Sequence, residues 1–324
     1  MLICTANASA MEPSEYIPEI HGTFRGRYEF VTEDSEGRFQ VRNARVDISG
    51  RIAKPIGYFF QTDLCDRGKM KILDAYGWIN ITSQVKFSIG QLRIPFSVDA
   101  SRAPHLIYFA NRSFIGRTIG NYRGVGAKLS WQPQSVPLLI EGGVYNSAAM
   151  SDHDVWQKAM AYGTKIRYRL HNVTAEIGFE SLEPDSIRHN SFDCSLTWNC
   201  GRWLVEGEYL NKHYTNKSYT TTQAFNIMAN YAMPVKAGIF NELSIQGRFD
   251  GATSNSSGIR NTAGILTEYE PSRRRASVGA TLSYSEKKVR ADLRLDFEKY
   301  FYRTGIIAPA GDRDRITAEL IIRF

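Results

Sequence analysis

The sequence predicts an all-β fold, a transmembrane antiparallel up-and-down β-barrel of about 16 strands. Three observations predict the barrel. Apolar and polar residues alternate with period two in segment after segment. The connections between segments are alternately tight and long. Aromatic residues gather near segment ends on the apolar faces.

The alternation begins at Glu19. Ile20, Phe24, Tyr28 and Phe30 share one face with Gly22 and Gly26, while His21, Thr23, Arg25, Arg27 and Glu29 share the other. The pattern supports strands over residues 19–30, 38–50, 55–66, 71–82, 84–94, 124–131, 137–146 and 158–170. It continues over 172–180, 190–200, 202–212, 222–232, 240–250, 274–284, 287–299 and 314–324. Within 38–50 the apolar face switches near Asn43-Ala44, which predicts a β-bulge. Segment 71–82 is apolar on both faces. The final segment sets Ile316, Ala318, Leu320, Ile322 and Phe324 against Arg315, Thr317, Glu319, Ile321 and Arg323. Each segment is near the roughly 9–11 residues that cross a bilayer at a tilt. Closure requires the last strand to pair with the first, because a bilayer tolerates no unpaired sheet edge.

Connections after even-numbered strands are tight, as at Arg51–Lys54, Ser83, His171, Gly201 and Ser285-Glu286. After most odd-numbered strands they are long: Pro95–Arg123, Ser147–Gln157, Gly251–Arg273 and Tyr300–Arg313. A soluble sandwich has no reason to sort loop lengths this way; a barrel with two unlike rims does. Outward aromatics such as Trp131, Trp198, Trp203, Tyr231, Phe179, Phe192 and Phe249 sit near strand ends, where rings meet lipid headgroups.

Bulk properties agree. The 324 residues are 23% charged, with net charge +7, a pI near 9.1 and mean hydropathy −0.33. No run approaches the roughly 18 apolar residues of a spanning helix. Cys4, Cys65, Cys194 and Cys200 form no CxxC and no metal-ligand spacing, and the six histidines include no HExxH, so neither metal nor cofactor is expected. Residues 1–18 read as a signal-peptide remnant and lead-in, ending its small-residue pattern at Ala8-Ser9-Ala10. The barrel domain then spans 19–324.

The chain closes on Phe324 after alternating apolar residues, an ending that resembles the signal read by the bacterial barrel-assembly machinery. Phe39–Gly50 (FQVRNARVDISG), Asp74-Ala75-Tyr76, Gly90–Ser97 (GQLRIPFS), Phe109–Phe114 (FANRSF) and Arg248-Phe249-Asp250 stand in the order of the phosphate-selective porin O/P family. The resemblance runs over most of the chain from about residue 19. It implies a sixteen-stranded channel of the bacterial outer membrane for passive diffusion of small hydrophilic solutes or ions. It also implies a homotrimer and an inward-folded third loop that narrows the pore.

Pro95–Arg123 follows the fifth strand, in the position of that loop. It carries Arg102, Arg112, Arg117 and Arg123 against one acid, Asp99, with Arg93 just before it. Planar, permanently charged guanidinium groups in a constriction suit anions, phosphate among them. On the lumen wall the alternation places Arg25, Arg27, Arg45, Lys165 and Arg167 inward, together with Asp47, Asp63, Glu176, Glu206, Glu208 and Asp250. The residues themselves leave two pores open: an anion-preferring one, and one of paired charges with weak selectivity.

The expected partners are outer-membrane lipid and lipopolysaccharide, the assembly machinery, further copies of the chain, and small anions or other hydrophilic solutes. The only basic run, Arg273-Arg274-Arg275, reads as a loop-to-strand rim facing lipopolysaccharide. Charges of both signs alternate along the strands, which is no nucleic-acid surface. Catalytic residues are not expected, since the histidines placed to face a cleft, His105 and His153, have no nucleophile constellation around them. A structural or adhesive barrel is the alternative; such barrels commonly use eight or ten strands whose interiors side chains fill, whereas sixteen leave an aqueous channel.

Overall fold

The computed structural model describes residues 16–120, 122–147, 153–185, 187–266, 270–306, 308 and 311–324. The expected signal remnant through residue 15, Cys4 included, lies outside them. The described residues form sixteen strands. These are β1 Glu19–Val31, β2 Glu36–Ala53, β3 Ile56–Asp66, β4 Lys69–Asn80, β5 Val85–Arg93, β6 Arg123–Trp131, β7 Leu138–Asn146 and β8 Met160–Leu170. The second half comprises β9 Val173–Asp185, β10 Ile187–Cys200, β11 Trp203–Tyr214, β12 Thr222–Ala237, β13 Phe240–Ala252, β14 Arg273–Glu286, β15 Val289–Tyr302 and β16 Arg315–Arg323. All sixteen expected strands are present, with ends displaced by a few residues.

Each strand pairs antiparallel with its sequence neighbours, and β16 pairs with β1 to close the barrel, Gly26 opposite Leu320. The bulge in β2 falls one residue before the expected switch. Asn43 faces Arg25 and Val41 faces Gly26, so Arg42 is the extra residue. This restores the in–out alternation after the local disruption. A second register shift places Leu73 between Asp74 and Ile72 on β4, which explains the segment that read as apolar on both faces.

Closure sorts the two faces. Ile20, Ile227, Ile245, Val278, Leu295 and other outward apolar residues are exposed, while Arg25, Glu208, Asp250, Asp296 and Glu319 are buried inside. A soluble protein would invert that arrangement; here lipid is the solvent for the apolar face. The aromatic girdles are formed by rings on paired strands. Trp203 lies 4.6 Å from Tyr231 on the rim of tight turns, and Tyr28 lies 4.8 Å from Phe39 toward the opposite rim. No helix among the described residues is long and apolar enough to cross a membrane.

Phe324 seals the seam from outside. Its backbone exchanges hydrogen bonds with Gly22, and its ring lies over that glycine, where an added Cβ would come within 2.2 Å of the ring. A side chain at position 22 would displace the terminal phenyl group.

Candidate functional site

The long segment between β5 and β6 carries a short helix, α1 (Val98–Ser101), and a π-helical turn over Ile115–Ile119. Its anchors are inward-facing wall residues. Ser97 caps α1 by accepting from Ala100 N, and its own hydroxyl donates to the Glu208 carboxylate on β11 at 2.6 Å. The same carboxylate accepts from Val98 N at 2.8 Å, so an acidic group satisfies the free amide at the helix start.

The wall also grips the main chain over residues 110–114. Arg25 donates to the Ala110 carbonyl at 2.8 Å, Arg248 to that of Asn111 at 2.8 Å, and Arg275 to that of Arg112 at 2.7 Å. In the other direction, Ala110 N donates to Asp296 at 2.6 Å and Phe114 N to Asp250 at 3.0 Å. The Phe114 ring is wholly buried, with the guanidinium groups of Arg273 and Arg275 at 4.4 and 4.7 Å from its centroid. Cation–π attraction adds to apolar burial here. Arg275 itself pairs with Asp250 at 2.8 Å and Glu298 at 2.9 Å, all three groups being inaccessible to solvent.

This corrects the reading of Arg273-Arg274-Arg275 as a lipopolysaccharide-facing run. Strand alternation turns Arg273 and Arg275 into the barrel, where they are buried, and leaves only Arg274 outward. The period of β14 contained this information; three consecutive arginines obscured it.

The arginines expected in the constriction divide into unlike groups. Arg102 binds Glu206 through both terminal nitrogens and lies 3.7 Å from Asp99. Arg117 binds Asp312 bidentately, and its other carboxylate neighbour is Glu270. It therefore shares Asp312 with Arg273. Arg123 binds Asp74 at 3.0 and 3.2 Å, with Arg93 opposite it in register.

Arg112 differs. Its two terminal nitrogens donate to the main-chain carbonyls of Asp99 and Arg102. The Asp99 carboxylate accepts instead from Ser113, from its amide at 2.9 Å and its hydroxyl at 2.7 Å. Burial lowers the Arg112 guanidinium to about 10; Asp99 opposes this, and the nearby positive charges of Arg45 and Arg25 add to it. Burial alone would raise Asp99, yet Arg112 and Arg102 hold it below the ordinary carboxylate range. Arg112 thus keeps its charge at pH 7 and stands close to two wall arginines.

Every expected wall residue has an acid beside it. Arg25 pairs with Glu319 at 2.6 Å, Arg27 with Glu29 at 3.0 Å and Arg45 with Asp63 at 2.9 Å. Lys165 and Arg167 share Glu176, at 3.4 and 2.7 Å. Sequence alternation placed these residues on the inner face; apart from Glu29, which follows Arg27 on β1, the partners came from register between strands.

The sequence profile described as Phosphate-selective porin O and P matches residues 18–177, so Arg248-Phe249-Asp250 lies beyond the matched part. Among curated protein sequences, no relative matches the chain. Several solved structures share its fold. An anion-selective porin from Comamonas acidovorans superposes with a TM-score of 0.66 at 10% identity, covering 95% of this chain and 98% of that one. Salmonella typhi OmpF, solved with daunomycin, gives 0.67 at 12% identity, with 97% and 99% covered. The trimer form of Vibrio cholerae OmpT gives 0.61 at 13% identity, with 95% and 98% covered. With the closed sixteen-strand barrel, its lipid-suited exterior and its charged interior, the chain is a bacterial outer-membrane porin whose residues 18–177 are similar to the phosphate-selective porin O and P family.

Proposed function

We propose that the pore prefers anions, and that residues 95–122 narrow it. One observation carries this reading. Arg112 has its hydrogen bonds satisfied by uncharged carbonyls; its nearest acid, Asp99, is outnumbered by the positive neighbours Arg45, Arg25 and Arg102. Carbonyls orient a guanidinium without cancelling its charge. In a narrow, poorly screened passage that charge acts strongly: unit charges about 4 Å apart interact by about 4 kcal/mol at an effective dielectric of 20. Arg102, Arg117 and Arg123, each held by a carboxylate, contribute less.

Reversal potential across a tenfold KCl gradient in planar bilayers tests the reading. Wild type should favour chloride, and Arg112→Gln should lose much of that preference while Arg117→Gln keeps it. A wild type without preference would support the weakly selective pore of paired charges.

The remaining expectations belong to the same proposal. The protein acts as a passive channel without catalytic activity, assembles as a homotrimer, and contacts lipid and lipopolysaccharide through its outer face. Residues 1–18 belong to export and lead-in. Phe324 serves recognition by the assembly machinery. Deleting Phe324 should reduce assembled protein far more than its synthesis; unchanged heat-modifiable migration of the truncated chain would count against that role.

A further inference from the structure

Between residues 105–108 and the inner faces of β12–β16, toward the rim of tight turns, lies a cavity of about 290 Å³. That is the lower end of the range for small-molecule sites, about 300–1,000 Å³. Its charges are unevenly matched. Arg290 and Arg323 stand directly opposite each other on β15 and β16, an arrangement of like charges that is unfavourable unless neutralised. Arg290 is neutralised twice, by Asp292 at 2.9 Å and by Glu242 at 3.2 Å. One guanidinium between two carboxylates leaves negative charge at that end. Arg294, also lining the cavity, shares Glu319 with Arg25, at 3.1 and 2.6 Å. Arg323 lines the cavity and, among the described residues, makes no ion pair and no side-chain hydrogen bond. The cavity therefore has a positive pole at Arg323 and a negative pole at Asp292 and Glu242.

Two buried acceptors also line it. The Gln246 amide nitrogen donates to the Tyr108 carbonyl and to the Thr281 hydroxyl, both at 3.0 Å, which fixes the orientation of the amide. Its Oε1 then has no protein donor, although the residue is 3% exposed. The Oδ1 of Asn230, 7% exposed, is in the same position. Buried acceptors without donors are costly and rare, so two of them beside one cavity point to a ligand or solvent that brings N–H or O–H groups.

We propose that this cavity is a binding subsite for a small α-amino acid zwitterion. Its carboxylate lies on Arg323, and its ammonium faces Asp292, Glu242 and the amide oxygens of Gln246 and Asn230. The subsite names a solute class for the water-filled channel and rests on that channel being open to solutes.

Saturation-transfer NMR with L-serine on the detergent-folded protein tests the subsite directly, and KCl conductance tests the channel separately. Serine should bind saturably, while acetate and ethylammonium, each carrying one pole only, bind clearly more weakly. Arg323→Gln, which removes a charged hydrogen bond, should weaken serine binding about tenfold or more, and Asn230→Ala about fivefold. Should Arg323→Gln fail to assemble, Asn230→Ala decides alone. No saturable serine signal, acetate binding as well as serine, or wild-type affinity in the assembled variants would each overturn the proposal. Loss of KCl conductance with serine binding intact would defeat only the open-channel reading.

Discussion

The two sides of the barrel wall carry the same kinds of charged pairs and hold them differently. On β13 and β14, Asp250 and Arg275 lie 2.8 Å apart and wholly buried under residues 109–114. On β6–β9, Lys128 pairs with Glu141 and Arg167 with Glu176 at an equally short 2.7 Å, yet the basic side chains are 22% and 40% exposed. Distance does not distinguish them; the covering segment does. A covered pair cannot exchange its partner for water, so it acts as structure. An uncovered pair is screened, and its contribution is small.

The largest expected effect breaks the covered side. Asp250→Ala leaves Arg275 with Glu298 in place of two carboxylates and removes the acceptor of Phe114 N. Losing one partner of a buried pair costs about 3–5 kcal/mol. The hydrogen-bonded wall remains, so the variant should still assemble, with lowered thermal stability and noisier, larger single-channel currents. Currents and melting like those of wild type would show that the segment does not depend on this latch.

A second test separates ring from charge. Phe114→Leu keeps an apolar side chain but loses the cation–π contacts with Arg273 and Arg275, an expected loss of about 1–2 kcal/mol. The same readouts should move in the same direction as for Asp250→Ala, and less far.

Acid tests the segment's other end. His105 bonds Thr23 on β1 at 3.1 Å. Burial, then the positive charge of Arg323, lowers the imidazole to about 4; Asp292 opposes this, while Arg45 and His21 add to it. An unfolded segment would take up the proton near pH 6.5. Stability from the neutral ring is therefore fully present above about 6.5 and declines as pH falls toward 4. Current noise should be flat from pH 8 to 7 and rise below 6, and His105→Gln should flatten that rise.

The smallest effect belongs to the uncovered side. Arg167→Gln removes a partly exposed pair worth about 0–1 kcal/mol, so stability and reversal potential should stay near wild type. A shift as large as that of Arg112→Gln would show that the open wall, and not the segment, sets selectivity.

Strand number, pairing order and the inward or outward direction of nearly every strand residue were legible in the sequence. A period of two is a local property of the chain, and a bilayer admits one way of closing such strands. The bulge at Arg42 was legible to within a residue for the same reason. Arg93, Arg102, Arg112, Arg117 and Arg123 were legible as a cluster along the chain and not as individuals. Their differences come from what they meet: Glu206 for Arg102, Asp312 for Arg117, Asp74 for Arg123 and bare carbonyls for Arg112. Those partners stand up to 195 residues away in sequence. The sequence by itself thus determined the barrel, because alternation and turn length are local. Only the tertiary structure decided how most of the charges are neutralised, because an ion pair between strands depends on separations of a few ångströms that no local pattern records.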